Sequence, residues 1–135
     1  MTGELYTYLA RRASARIIDG DTLAIDISLG FDVWTRQTLR LAGVDAPETR
    51  RGPWCDGLDE GAIQAKILLG HRATDRLRQL IDGLGETFVI HTMKDATEKF
   101  GRYLVVIPVG DSSETVASVL LRENLAVPYD RGHRS

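Results

Sequence analysis

The sequence predicts an α+β fold that is mainly β. Three observations carry that reading: extended runs punctuated by turn residues in the first 41 positions, a long stretch of helical periodicity in the middle, and two further extended runs before a short helix. Tyr6 to Ile18 is a mixed run that ends in the turn Asp19-Gly20. Leu23, Ile25 and Ile27 alternate through the next run, Thr22 to Ile27. Asp-Gly between two such runs signals a hairpin, because the tight turns that suit twisted strands need positive φ. Leu29-Gly30-Phe31-Asp32 gives a second turn, and Thr35 to Leu41 is a third strand ended by Gly43.

Pro53, Gly57 and Gly61 are breakers, so Glu48 to Gly57 is expected as a loop. From Glu60 to Asp82, Ile63, Ile67, Ala73, Leu77, Leu80 and Ile81 recur at helical spacing. Asp59 suits the N-cap and Gly83 the stop. Gly70 is a candidate kink that would split the segment into two shorter helices. Thr87 to Met93 alternates, whereas Tyr103 to Val109 is nearly all apolar, as a strand buried on both faces would be. Val116 to Glu123 reads as a short helix with Asn124 at a left-handed C-cap, followed by the extended tail Val127-Pro128-Tyr129. Three strands, a helix, two strands and a helix is the layout of a five-stranded OB-type Greek-key barrel with two or three helices, here one domain over residues 1–135. The same order also fits other α+β domains.

Composition narrows the function. The formal charge is −2, so a general basic coat for nucleic acid is excluded, and any grip on phosphate must come from a few placed cations. Arg greatly outnumbers Lys, which occurs only at Lys66, Lys94 and Lys99, and the guanidinium fork matches phosphate oxygens. Cys55 is the one cysteine, so no disulfide forms within the chain, and it lacks a catalytic-thiol signature. His71, His91 and His133 are dispersed and show no zinc spacing. MTGELYTYLARR is no signal peptide, and no apolar run is long enough to span a bilayer. A soluble protein is expected, with the cytoplasm favoured and no membrane partner.

Four places stand out for chemistry. Asp21 follows the hairpin turn, at a strand mouth. In Asp45-Ala46-Pro47-Glu48, Pro47 biases Ala46 toward extended geometry and away from helical hydrogen bonding, which frees the Ala46 carbonyl. Two carboxylates and a carbonyl are hard oxygen donors, suited to Ca²⁺ or Mg²⁺. Arg40 ends an apolar strand, so it either pairs with a carboxylate or faces a cleft. Arg102 follows Gly101 and opens the last long strand. Each also has a plainer reading as a turn acid, an acidic loop or a surface ion pair. Trp34 and Trp54 read as loop or core anchors before base-stacking platforms.

Taken together, Asp19-Gly20-Asp21-Thr22, Arg40-Leu-Ala-Gly-Val-Asp45-Ala-Pro-Glu48 and Lys99-Phe-Gly-Arg102 resemble the thermonuclease family typified by staphylococcal nuclease. The order of the three motifs, with a helix between the second and third, is more specific than any one of them. The resemblance runs from about Ile17 to Tyr129 and implies an OB-type barrel with Ca²⁺-dependent hydrolysis of DNA and RNA, single strands preferred, by a monomer that leaves 3′-phosphate ends. It implies that Asp21, Asp45 and the Ala46 carbonyl ligate Ca²⁺. Glu48 is then the general base, Arg40 and Arg102 bind the scissile phosphate, and Lys99, Phe100 and Tyr129 contact substrate. This sequence departs from the family's pattern at Ala46, where a threonine is known, at Phe100, where a tyrosine is common, and at Glu98, which replaces an aspartate. The stretches 26–38 and 49–70 are also longer. A non-catalytic OB-type module that binds nucleic acid or protein is the alternative reading; such copies tend to lose the acids or arginines that are present here.

Overall fold

The computed structural model describes residues 5–94 and 102–129. Its strands are β1 (Tyr6–Arg11), β2 (Arg16–Asp19), β3 (Thr22–Ser28), β4 (Trp34–Leu41), β5 (Val44–Asp45), β6 (Thr87–Lys94), β7 (Tyr103–Val106) and β8 (Val127–Pro128). The helices are α1 (Glu60–Asp82), between β5 and β6, and α2 (Val116–Arg122), between β7 and β8.

The run from Tyr6 to Ile18 is one bent strand rather than a straight one. A 3-10 turn at Arg12–Ser14 separates β1 from β2. Ser14 makes this bend possible: its Oγ donates to the Arg11 carbonyl at 2.7 Å and accepts the Asp26 N–H at 2.9 Å, so polar backbone groups at the break stay paired. β1 then pairs with the end of β3, Leu9 opposite Ser28, and β2 with its start, Ile17 opposite Leu23. β3 and β4 form the expected antiparallel hairpin. β7 runs parallel to β4, with Leu39 opposite Tyr103, and β6 joins β7 to β1. The order β1-β6-β7-β4-β3 closes through the β1–β3 pairing. The result is a closed five-stranded barrel of OB type with two helices, in which β2 continues β1.

The core forms where inward strand positions meet the helices. Leu23, Ile25, Leu39, Leu41, Ile90 and Val105 from the barrel pack with Leu77 and Ile81 of α1 and Leu120 of α2, all essentially inaccessible. Arg76 of α1 makes a two-pronged ion pair with Glu123, Nε to Oε1 at 2.8 Å, tying the first helix to the end of the second.

Two expectations need correction. Gly70 does not split the long helix, which runs unbroken for 23 residues from an Asp59 cap that accepts the Ala62 N–H at 2.7 Å. Glycine is needed at 70 because a Cβ there would lie 2.4 Å from the Glu48 carbonyl oxygen and 2.8 Å from that of Pro47. The segment Tyr103 to Val109 is not buried on both faces. Val105 and Ile107 point inward and their neighbours are half-buried, as alternation around a barrel requires. Regular pairing ends at Val106, and Pro108, which lacks an N–H, keeps only an isolated bridge to Thr115. Asn124 is left-handed at φ 60°, as expected for the α2 C-cap. Among the described residues, no helix is long and apolar enough to cross a membrane.

Candidate active site

The β2–β3 turn delivers the first acid. The Asp21 N–H donates to Asp19 Oδ1 at 3.1 Å, which tightens the turn. The Asp21 carboxylate is then held from two sides. Thr22 Oγ1 donates to Oδ1 at 2.9 Å, and the Ala46 N–H donates to Oδ2 at 2.9 Å. Arg40 lies across the hairpin, in register with Thr22. Its NH2 donates to Asp45 Oδ1 at 2.9 Å and reaches Asp21 Oδ2 at 3.5 Å, while NH1 donates to the Val44 carbonyl at 3.1 Å. Asp21 and Arg40 are only 7% and 8% exposed, so the guanidinium is what makes burial of the carboxylate tolerable.

Three further devices position this cluster. Tyr129 lies beside Arg40, its ring centroid 4.7 Å from the guanidinium carbon, within cation–π range. The tail carrying Tyr129 is an added strand: β8 pairs with β5, and the Tyr129 N–H donates to the Gly43 carbonyl at 2.9 Å. Finally, α1 presses on the acidic segment through small residues. A Cβ on Gly20 would fall 2.7 Å from Ala73 Cβ and 2.8 Å from Ala46 Cβ, and Gly70 admits the Pro47–Glu48 backbone. Buried Ala46, a departure from the pattern of the family that the sequence resembles, belongs to that tight contact.

Direct contacts therefore unite Asp21, Arg40, Asp45, Ala46 and Tyr129. Glu48 and Arg102 are placed by the backbone that carries them. Glu48 is exposed, just past the segment pinned by Gly70, and half-buried Arg102 immediately precedes β7, the parallel neighbour of the strand bearing Arg40. Lys99 and Phe100 lie outside the described residues. Trp34 stacks under Arg11 at 3.9 Å, and Trp54 anchors its loop through Nε1 to the Arg50 carbonyl at 2.8 Å.

Sequence reasoning missed Asp19. Burial, then its hydrogen bond to Asp21 and the charge of Asp21, push the Asp19 carboxyl up from 3.8 to about 7. Its signal was available in the Asp-Gly-Asp spacing, where a turn must bring two carboxylates together. Asp21 and Asp45 thus share the Arg40 guanidinium, with Asp19 behind Asp21 in the turn. Among the described residues, no cluster of three or more His, Cys, Asp and Glu side chains is arranged as a metal cage. Asp21 and Asp45 meet at Arg40, and carboxylate oxygens are donors of the kind that suit a hard divalent cation.

The family model described as staphylococcal nuclease homologue matches residues 38–134. No curated protein matches the chain.

Proposed function

The chain belongs to the staphylococcal nuclease homologue family, and on that premise we propose that it is a Ca²⁺-dependent nuclease that hydrolyses phosphodiester bonds in DNA and RNA. The observation that carries this reading is the meeting of buried Asp21 and Arg40 with half-exposed Asp45, brought together from the β2–β3 turn, β4 and β5. Ordinary surface ion pairs have no need of a buried arginine shared by two carboxylates, a carbonyl and an aromatic ring.

Asp21, Asp45 and the Ala46 carbonyl would hold the metal. Bound Ca²⁺ would supply positive charge that stabilises the phosphoryl oxygens as they gain charge in the transition state. Glu48, exposed beside that set, accepts the proton of the attacking water. The water oxygen joins phosphorus as the bond to the 5′-oxygen breaks, so a 3′-phosphate remains and the departing oxygen takes a proton from solvent. Arg40 and Arg102 meet the phosphoryl oxygens. Because Arg40 is fixed by Asp45 and Tyr129, its charge is oriented before substrate arrives. Tyr129 then serves substrate binding through Arg40, while Lys99 and Phe100 keep the substrate contacts implied by their motif. We assign single-stranded substrates and a monomeric enzyme to the same reading.

The test is cleavage of single-stranded DNA and RNA with Ca²⁺ and with excess chelator. Cleavage with Ca²⁺, lost in chelator, is the expected result. Cleavage unchanged by chelator rules out the metal mechanism, and binding without cleavage under both conditions selects the non-catalytic module instead.

A further inference from the structure

The inner faces of the barrel strands change character along their length. On β4 the inward positions run from buried Leu41 and Leu39 to Gln37 and Thr35, and on β6 from buried Ile90 through Thr92 to exposed Lys94. The aliphatic end belongs to the buried core. The polar end surrounds a cavity of about 610 Å³ at the barrel mouth, floored by Ile27 and Leu39 and walled in part by Tyr8 and Tyr103. Small barrels ordinarily fill their interiors with side chains. The Gln37 side chain spends one donor on its neighbour, Nε2 to Thr35 Oγ1 at 2.9 Å, its one side-chain hydrogen bond among the described residues. An amide carbonyl and a second N–H remain for a guest.

We propose that this mouth is a second binding site, which takes the base of a nucleotide with the phosphate toward Lys94. The volume lies within the roughly 300–1,000 Å³ usual for small-molecule pockets. Tyrosine faces accept a planar heterocycle by stacking. The Gln37 amide presents a donor and an acceptor side by side, which match the edge of a base. The Lys94 ammonium at the rim is suited to phosphate. A purely hydrocarbon guest would take the Gln37 amide carbonyl out of water without giving it a partner. The site stands apart from the acidic cluster, since Asp21 precedes β3 whereas Ile27 lies near that strand's far end. It therefore does not rest on the catalytic reading.

The experiment is calorimetric titration of the full chain, in excess chelator, with adenosine and thymidine monophosphates. One site is expected, and ribose 5-phosphate should give no binding. Thr92→Phe places a large ring in the cavity and should weaken binding by at least about tenfold, a loss of about 1.4 kcal/mol, with cleavage in Ca²⁺ unchanged. Gln37→Leu should weaken binding several-fold and decides the matter if Thr92→Phe does not fold. A parallel arm with a pentanucleotide separates a base within a strand from a free nucleotide, and sensitivity to the same two substitutions supports the site in either arm. The proposal is overturned if neither ligand binds, if both variants bind like the parent chain, or if Arg102→Ala removes binding while they do not.

Discussion

The two halves of the candidate active site are built on opposite principles. Asp21, Arg40 and Asp45 are knitted together, the first two withdrawn from water and Asp45 half-exposed, with hydrogen bonds to backbone on each side. Glu48 stands exposed one turn of chain later and owes its position to Pro47 and the packing of its own backbone on Gly70. The difference teaches which residues carry structure as well as chemistry. A buried ion network contributes to the fold, so its loss is felt everywhere. An exposed carboxylate on a pinned backbone is structurally dispensable and free to exchange protons with a water molecule.

Substitutions break this comparison in a graded way. The largest effect is expected from Glu48→Gln, which should slow cleavage by about 10²–10⁴-fold, the usual range for a general base, with an unchanged thermal midpoint. Near-normal turnover would remove Glu48 from that role. Arg40→Met should lower both properties. It leaves Asp21 buried without its partner, a change that costs about 3–5 kcal/mol, readable as a shift in the urea midpoint alongside lost cleavage. Stability equal to the parent would show that the network is not structural.

Gly70→Ala sharpens the contrast by moving the exposed half alone. Helix propensity by itself would favour alanine by about 1 kcal/mol. The clash with the Glu48 carbonyl should reverse that sign, giving a loss of about 1–3 kcal/mol and reduced cleavage, with Ca²⁺-free folding still cooperative. A more stable Gly70→Ala variant would mean that α1 does not press on the loop. The smallest effect concerns pH. Asp19 binds its proton more tightly folded than unfolded, so its contribution to stability is fully present below about 3.8 and is lost as pH rises through about 7. In chelator, Asp19→Asn should flatten that part of the stability profile, as measured by denaturant unfolding at successive pH values. An unaltered profile would place the titration elsewhere.

The barrel was legible because its strands announce themselves by alternation and by Asp-Gly and Gly-containing turns, and because a long amphipathic helix separates the third strand from the fourth. The bend at Ser14 was not, since it depends on a hydroxyl bonding to Asp26, twelve residues away. Gly70 misled for a related reason. Within a helix glycine reads as weakness, and only the tertiary contact with Pro47 and Glu48 shows it as an allowance for close approach. For the site, Arg40, Asp45 and Glu48 fall in one short segment whose proline geometry a sequence displays directly. That Arg40 sits between two aspartates, with Tyr129 beside it, is information about long-range pairing that no local pattern contains.

The pairing of β5 with β8 has a consequence for how the protein comes into being. The strand bearing Asp45 finds its sheet partner only at Val127 and Pro128, more than eighty positions later. During synthesis, the barrel strands and α1 emerge well before that tail. The acidic segment acquires this support, and Arg40 its aromatic neighbour, only once residues 127–129 have left the ribosome. A chain cut short before Val127 would therefore carry the motif residues of the first half without the latch that holds them.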